Sequence, residues 1–166
     1  VDANIDAILF DLDGVIYRGL DPTPDASSCL KKLIEKGKTC LFVTNNAGAS
    51  RQHLRDKLNK VLGITELNED QMIGSAYSCA SFLKKNIPTK GRVYVIGAAG
   101  LCEEIENHGF TVTGGLSNDK ASMSRDELAE YKFPEEPVDA VVVGLDNEFN
   151  YRKLCISNVL LQRNPK

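Results

Sequence analysis

The chain has 166 residues, enough for a domain of ordinary size but too few for three domains. Apolar residues make up 42% and charged residues 26%, which excludes a disordered chain, a collagen-like repeat and a disulfide-dense scaffold. The net charge of −3 gives no general attraction for nucleic acid or for an anionic membrane, and no apolar run exceeds four residues, where a bilayer span needs about eighteen.

The cysteine pattern and the N-terminal segment indicate a reducing compartment. No basic-then-apolar segment resembles a signal peptide, and no Asn-x-Ser/Thr site occurs. We therefore expect a cytoplasmic protein, with an organelle such as the plastid as the alternative. Five widely spaced cysteines on apolar segments predict buried free thiols and argue against disulfides or a zinc site. They are Cys29, Cys40, Cys79, Cys102 and Cys155.

Short apolar runs alternate with amphipathic stretches along the first half of the chain. This alternation predicts βα units and therefore an α/β fold with a mainly parallel, Rossmann-like sheet. Strands are predicted at 5–10 and 39–43 and near 72–73, and helices at 25–36 and 50–62 and from 75 to just before Pro88.

A second α/β unit is predicted from residue 91 onward. Its strands are expected at 92–96, 110–112 and 138–143, its helices at 101–108 and 150–162, and a solvated helix and loop over 124–136. His53 and His108 are expected to be exposed helix residues without a catalytic role. The predicted core positions of the last helix are Leu154, Cys155, Val159 and Leu161.

Two carboxylates follow the first predicted strand. Asp11 and Asp13 are separated by one residue, and Gly14 allows the chain to turn sharply after them. Ligands of open α/β sheets bind beyond the carboxyl ends of the strands, where these side chains lie. Like charges at this spacing need compensation, which Mg²⁺ supplies because it prefers oxygen ligands. The alternative is a simple strand-to-turn transition, since Asp before Gly is common in turns.

Polar residues also follow the second predicted strand. Thr44, Asn45 and Asn46 stand at its carboxyl end, after one helix and two short loops, which is the length that a right-handed βαβ crossover needs to bring the two strand ends side by side. The hydroxyl, the two amides and nearby backbone N–H groups are suited to hold phosphate oxygens. A loop at the entrance of a helix capped by Ser50 is the simpler alternative.

These segments resemble a known family of phosphatases. The sequence DLDGV at 11–15, together with VTNNAGASR at 43–51, is similar to motifs one and two of the haloacid dehalogenase superfamily. More narrowly it resembles the 4-nitrophenylphosphatase, phosphoglycolate phosphatase and pyridoxal phosphatase group. VYVIG at 93–97 and VVVGLD at 141–146 look like strand ends of that group's cap. The resemblance implies the N-terminal part of a three-layer core over 1–90 and part of an inserted α/β cap domain over 91–166.

The resemblance also implies a role for each site residue. Asp11 would attack phosphorus to form an aspartyl-phosphate, with its other carboxylate oxygen on Mg²⁺. Asp13 would act as general acid and then general base, with its backbone carbonyl on Mg²⁺. Thr44 and Asn45 would bind the transferring phosphoryl group, and Asn46 would orient the pocket. Residues 17–19 would form a flap. The implied partner is a small phosphate ester, with no nucleic acid or membrane, and the full-length protein would form a homodimer through the cap.

Two features of the family are absent from this sequence. No lysine motif and no Gly-Asp-x-x-x-x-Asp segment follow at the implied positions. We therefore expect an N-terminal part of a phosphatase, inactive alone or nearly so. The alternative is a non-catalytic, truncated protein that binds phosphate, metal or a partner protein.

Overall fold

Two three-stranded parallel sheets form the framework of the computed structural model, which describes residues 4–87, 90–115 and 123–163. The strands are β1 (Ala7–Asp11), β2 (Tyr17–Arg18), β3 (Asp21–Pro22), β4 (Thr39–Thr44), β5 (Met72–Gly74), β6 (Arg92–Ile96), β7 (Thr111–Gly114) and β8 (Ala140–Val143). The helices are α1 (Ala26–Glu35), α2 (Arg51–Leu62), α3 (Ser75–Asn86), α4 (Ala99–Asn107), α5 (Arg125–Glu130) and α6 (Tyr151–Arg163), with one 3-10 turn at Glu69–Gln71.

The strand order confirms the predicted α/β fold. The first sheet has the order β1-β4-β5 and the second β7-β6-β8, and every pairing within both sheets is parallel. Strands β2 and β3 form a separate antiparallel hairpin. Each predicted helix and strand is present with shifts of one or two residues at its ends. The hairpin strands were not predicted, because two residues show no periodicity.

Three hydrophobic clusters hold the helices against the sheets. In the first cluster, Phe10 stacks on Phe42 across the β1–β4 pair with ring centroids 5.9 Å apart, and the inward face of α2 adds Leu54 and Leu58. The second cluster joins the inward face of α3 to α4 and the second sheet. The third packs α6 on the other face of that sheet. Each fully buried aliphatic side chain contributes about 1.5–3 kcal/mol. Helix α3 directly follows β5 of the first sheet and packs on the second sheet, so it links the two sheets. A domain division at residue 90 stays a prediction.

The predicted core face of α6 was wrong. Leu154 and Leu161 are 48% and 56% exposed, and Cys155 and Val159 are only half-buried. The buried positions include Lys153, whose ammonium lies 2.8 Å from the Asp146 carboxylate in the loop after β8, with both side chains at most 3% exposed. The buried face of the helix is therefore the one that carries Lys153, not the predicted one. The residues that the helix buries are Lys153, Ile156, Ser157 and Leu160.

Two further expectations need correction. Of the five cysteines, all free, only Cys40 is buried and Cys29 is exposed. His53 is exposed as expected, but His108 is half-buried, with Nδ1 2.7 Å from the Glu104 carbonyl oxygen and Nε2 3.3 Å from the Ser81 hydroxyl. No described helix has the length and apolar composition needed to cross a membrane.

Replacement of Lys153 by methionine is expected to lower the free energy of unfolding by about 3–5 kcal/mol, because it leaves the buried Asp146 carboxylate without its partner. Urea denaturation of the chain measures this change. The matched control is Lys85→Met, an exposed helix position, which should change stability by less than about 0.5 kcal/mol. A Lys153→Met loss below about 1 kcal/mol would contradict a structural role for the pair.

The pH dependence of stability gives an independent check. Burial alone would raise the pKa of Asp146, but hydrogen bonds from Lys153 and the Glu148 N–H outweigh it, so the pKa lies below its usual value. A carboxyl whose pKa is lower in the folded than in the unfolded state stabilises the fold above its unfolded pKa of about 3.9 and loses this effect as the pH falls further. Wild type should therefore lose more stability than Lys153→Met between neutral pH and the acid range.

Candidate functional site

The predicted site residues meet at the carboxyl edge of the first sheet. In the parallel pairing of β1 with β4, Asp11 stands opposite Val43, one residue before Thr44. Thr44 in turn stands opposite Gly74 at the end of β5. Neighbouring strands lie about 4.8 Å apart, so the turn that contains the acidic pair and the loop that begins at Thr44 are immediate neighbours.

A tight turn after β1 fixes the acidic pair. The Leu12 carbonyl accepts hydrogen bonds from the backbone N–H groups of residues 15, 16 and 17, and the Gly14 N–H donates to the Tyr17 carbonyl at 2.7 Å. Gly14 has φ +87°, a conformation that favours glycine. Leu12 is fully buried while Asp11 and Asp13 on either side of it are exposed. The buried leucine therefore anchors the turn and leaves both carboxylates at the surface.

Tyr17 lies next to this acidic pair. Tyr17 is 1% exposed, and the Lys57 ammonium lies 3.8 Å from the centroid of its ring, a cation–π contact. Burial, followed by the negative charges of Asp13 and Asp11, raises the pKa of the Tyr17 phenol to about 12. The phenol therefore stays protonated at neutral pH. Tyr17 belongs to the β2–β3 hairpin, so the predicted flap over 17–19 is a hairpin beside the carboxylates.

Hydrogen bonds fold the loop after β4 into a compact cradle. The buried Thr44 Oγ1 accepts the Asn46 N–H at 3.2 Å, and Asn46 Oδ1 accepts the Gly48 N–H at 2.8 Å. The Ser75 hydroxyl at the start of α3 donates to the Asn45 carbonyl at 3.0 Å. The Asn45 side chain is exposed, and Thr44 still has its O–H to donate. The Asn46 side chain shapes the loop through its bond to the Gly48 N–H, and its role in orienting a phosphate pocket stays a prediction.

The far end of the cradle contacts the second sheet's half of the molecule. The Arg51 backbone N–H at the start of α2 donates to Glu104 Oε1 at 2.5 Å, and Arg51 Nε lies 3.4 Å from Oε2. The sequence did not single out Glu104. A usable signal exists in the helical spacing, since position 104 shares the inward face of α4 with Leu101 and Ile105.

The acidic pair fits a magnesium ion by its donor chemistry. Mg²⁺ is held by one or two carboxylates together with water and phosphate oxygens. Over 4–87, 90–115 and 123–163, no lysine, arginine or histidine forms an ion pair with Asp11 or Asp13, so both carboxylates are available to a cation. The same residues contain no group of three or more acidic, cysteine or histidine side chains arranged around a metal. The site therefore offers two ligands.

The acidic pair after β1 and the hydroxyl-amide loop after β4 thus stand side by side at one edge of a parallel sheet. Residues 8–111 match the sequence model of the haloacid dehalogenase-like hydrolases, and the chain belongs to this family. The resemblance inferred from residues 11–15 and 43–51 is thereby confirmed.

Known relatives are similar over nearly the whole chain. Phosphoglycolate phosphatase 2 of Arabidopsis thaliana is 38% identical over 98% of this chain and 54% of its own length. The 4-nitrophenylphosphatase of Schizosaccharomyces pombe is 34% identical over 95% of this chain and 53% of its own length. The chain thus spans about half the length of the curated relatives it matches.

A solved glycerol phosphate phosphatase of Mycobacterium tuberculosis shares the fold. Its magnesium complex superposes with a TM-score of 0.73 at 26% identity, over 96% of this chain and 42% of that one. Its calcium complex gives a TM-score of 0.72 over 96% and 40%.

The Tyr17 phenol is expected to titrate near pH 12, and Asp13→Asn should lower this pKa while burial keeps it above 10, the usual value for tyrosine. Titration of ¹³C-labelled tyrosine by NMR, assigned with Tyr17→Phe, measures the shift. Asp21→Asn is the control, an exposed aspartate on the same hairpin that should leave the pKa in place. A pKa near 10 in wild type would contradict the burial of Tyr17, and an unchanged pKa in Asp13→Asn would show that the Asp13 charge does not act on the phenol.

Proposed function

We propose that this sequence belongs to a Mg²⁺-dependent phosphatase that hydrolyses small phosphate monoesters through an aspartyl-phosphate. The proposal rests on the β1–β4 register, which puts Asp11 beside the loop that begins at Thr44. Family membership and the phosphatase names of the relatives support the reaction class.

Asp11 and Asp13 divide the covalent steps and the proton transfers. A carboxylate oxygen of Asp11 forms a bond to phosphorus while the bond from phosphorus to the alcohol oxygen breaks. Asp13 gives its proton to the departing alkoxide. Water then attacks the aspartyl-phosphate and passes a proton back to Asp13, which releases inorganic phosphate and restores both side chains. Asp13 is suited to this work because it is exposed, is separated from Asp11 by one residue and lies on a hydrogen-bonded turn.

The cradle supplies positioning and neutral hydrogen-bond donors. The oxygen of the Thr44 hydroxyl already accepts the Asn46 N–H, so its O–H donates a hydrogen bond to a phosphoryl oxygen. The exposed Asn45 side-chain amide donates a second hydrogen bond to the phosphoryl group. Phosphoryl transfer depends mainly on such alignment and charge stabilisation. Asn46 holds the loop in shape through its hydrogen bond to the Gly48 N–H.

A divalent cation would be held by the Asp11 carboxylate and by the backbone carbonyl of Asp13, which leaves the Asp13 carboxyl group for proton transfer. When bound, it neutralises charge on the phosphoryl oxygens and lowers the repulsion between them and Asp11. The magnesium and calcium complexes of the structurally similar glycerol phosphate phosphatase support a divalent ion, and we propose Mg²⁺.

Three further properties of the whole protein are proposals. The substrate is a small phosphate monoester, supported by a relative named phosphoglycolate phosphatase and another named 4-nitrophenylphosphatase. The protein acts in the cytoplasm or in an organelle such as the plastid. It forms a homodimer through the cap domain. Imaging of a fluorescent fusion and sedimentation of the purified full-length protein test location and assembly.

Replacement of Asp11 by asparagine in the full-length protein is expected to lower kcat for 4-nitrophenyl phosphate by at least about 1,000-fold, because the neutral amide is a poor nucleophile. Asp21→Asn is the matched control and should keep activity within about twofold. Removal of Mg²⁺ with a chelator should abolish turnover, and added Mg²⁺ should restore it. Near-normal turnover by a folded Asp11→Asn protein would remove Asp11 from the mechanism.

The 166-residue chain alone is expected to show little or no turnover. In the part of the chain that the structure describes, no cationic side chain forms an ion pair with either carboxylate, and the family resemblance implies a lysine and a further metal carboxylate outside this sequence. Hydrolysis of 4-nitrophenyl phosphate by this chain and by the full-length protein measures the difference. Rapid Mg²⁺-dependent turnover by the short chain would contradict the expectation. The non-catalytic alternative instead requires a full-length protein that binds phosphate without turnover.

A further inference from the structure

Glu104 is a buried carboxylate at the meeting point of two helices. Its side chain is 2% exposed, and it belongs to α4, which packs on the second sheet, yet its Oε1 and Oε2 both face Arg51 at the start of α2. A carboxylate removed from water is costly unless it is paired and hydrogen-bonded. Here the compensation comes from the Arg51 guanidinium, the Arg51 N–H and the positive end of the α2 dipole.

The same contact is tightened by Gly100 of α4. A Cβ at this position would lie 2.4 Å from the Ser50 nitrogen and 2.6 Å from both the Ala49 carbonyl carbon and the Gly48 oxygen. The backbone of the loop at 48–50 therefore rests directly on α4, and only a glycine permits this approach.

The contacted loop is the phosphate cradle. The Asn46 N–H donates to Thr44 Oγ1, and the Gly48 N–H donates to Asn46 Oδ1. The backbone that follows then contacts Gly100 and, at Arg51, Glu104. The opposite end of the cradle is fixed by the Ser75 hydroxyl on the Asn45 carbonyl. If the loop moved away from α4, the Glu104 charge would lose a backbone donor while still buried, so the contact opposes that movement.

We infer that Glu104 is a positioning residue for phosphate binding, which acts through the Arg51 N–H to hold the loop at 44–50 in the geometry that receives a phosphoryl group. The inference rests on the proposed function of that loop. Arg51 supports the arrangement from the other side, because its guanidinium lies 4.2 Å from the centre of the Tyr77 ring on α3.

The test measures the affinity of the full-length protein for inorganic phosphate by calorimetry in the presence of Mg²⁺. Glu104→Gln keeps the shape of the side chain and one acceptor oxygen but removes the negative charge, so the hydrogen bond from the Arg51 N–H is weakened and the Arg51 guanidinium loses its ionic partner. We expect its Kd for phosphate to rise about tenfold, with KM for 4-nitrophenyl phosphate rising in parallel, because small misplacements of a binding loop are costly. The Kd of the protein for Mg²⁺ alone should stay unchanged, since Asp11 and Asp13 lie on the separate turn after β1.

The matched control is Glu103→Gln. Glu103 is the preceding residue on α4, its side chain is 41% exposed, and it lies 3.4 Å from Nδ1 of the exposed His53. Its removal should leave the phosphate Kd within about twofold of wild type.

Gly100→Ala provides a second variant that changes no charge. Alanine is the better helix former, yet its Cβ would displace the loop backbone, so phosphate binding should weaken as in Glu104→Gln. If Glu104→Gln fails to fold, Gly100→Ala still tests whether the contact with α4 positions the loop for phosphate. All variants are compared well below their melting temperatures.

Two kinds of failure are distinguishable. A folded Glu104→Gln or Gly100→Ala protein that melts earlier but binds phosphate as wild type does would overturn the inference and assign these residues a purely structural role. Absence of turnover in a wild-type protein that binds phosphate would overturn the proposed function, while a weakened affinity in the two variants would still support the positioning role.

Discussion

The parallel pairing of β1 with β4 is the constraint on which the site depends. The register that sets Phe10 beside Phe42 also sets Asp11 beside Val43, so the packing of the core and the position of Asp11 are fixed by the same hydrogen-bond ladder. A slip of one residue would turn Phe10 out of the core and move the acidic pair away from the Thr44 loop, so burial of these rings protects the geometry of the site.

The two sheets are coupled through their helices. Apolar residues of α3 share a cluster with the second sheet, and beside that cluster stands a polar group formed by Arg51, Glu104, Tyr77 and His108. The loop at 44–50 contacts both parts of the structure. Its N-terminal end belongs to the first sheet and its C-terminal end rests on α4. The shape of the cradle therefore depends on both halves of the described structure.

The sequence predicted the helices and strands well, because each is specified by residues within or next to it, such as an apolar run or a helix cap. The strand at Arg92–Ile96 lies where its apolar run predicts it, and α2 begins at Ser50 as cap because a hydroxyl there accepts the His53 N–H. The face of α6 could not be predicted in the same way. The apolar residues along the helix predict Leu154 and Leu161 as core positions. The helix buries Lys153 instead, because a carboxylate seven residues earlier in the chain, that of Asp146, provides a partner for its charge.

The sequence by itself determined the α/β class, the acidic pair at Asp11 and Asp13 and the polar loop at Thr44–Asn46, because each depends on residue types within one strand and the turn after it. Only the tertiary structure decided that Glu104 and Gly100 contact that loop, that His108 is half-buried and that Lys153 is buried. Such contacts join residues far apart along the chain. Their free energy comes from burying charge and backbone beside a particular partner, which periodicity within one helix does not specify.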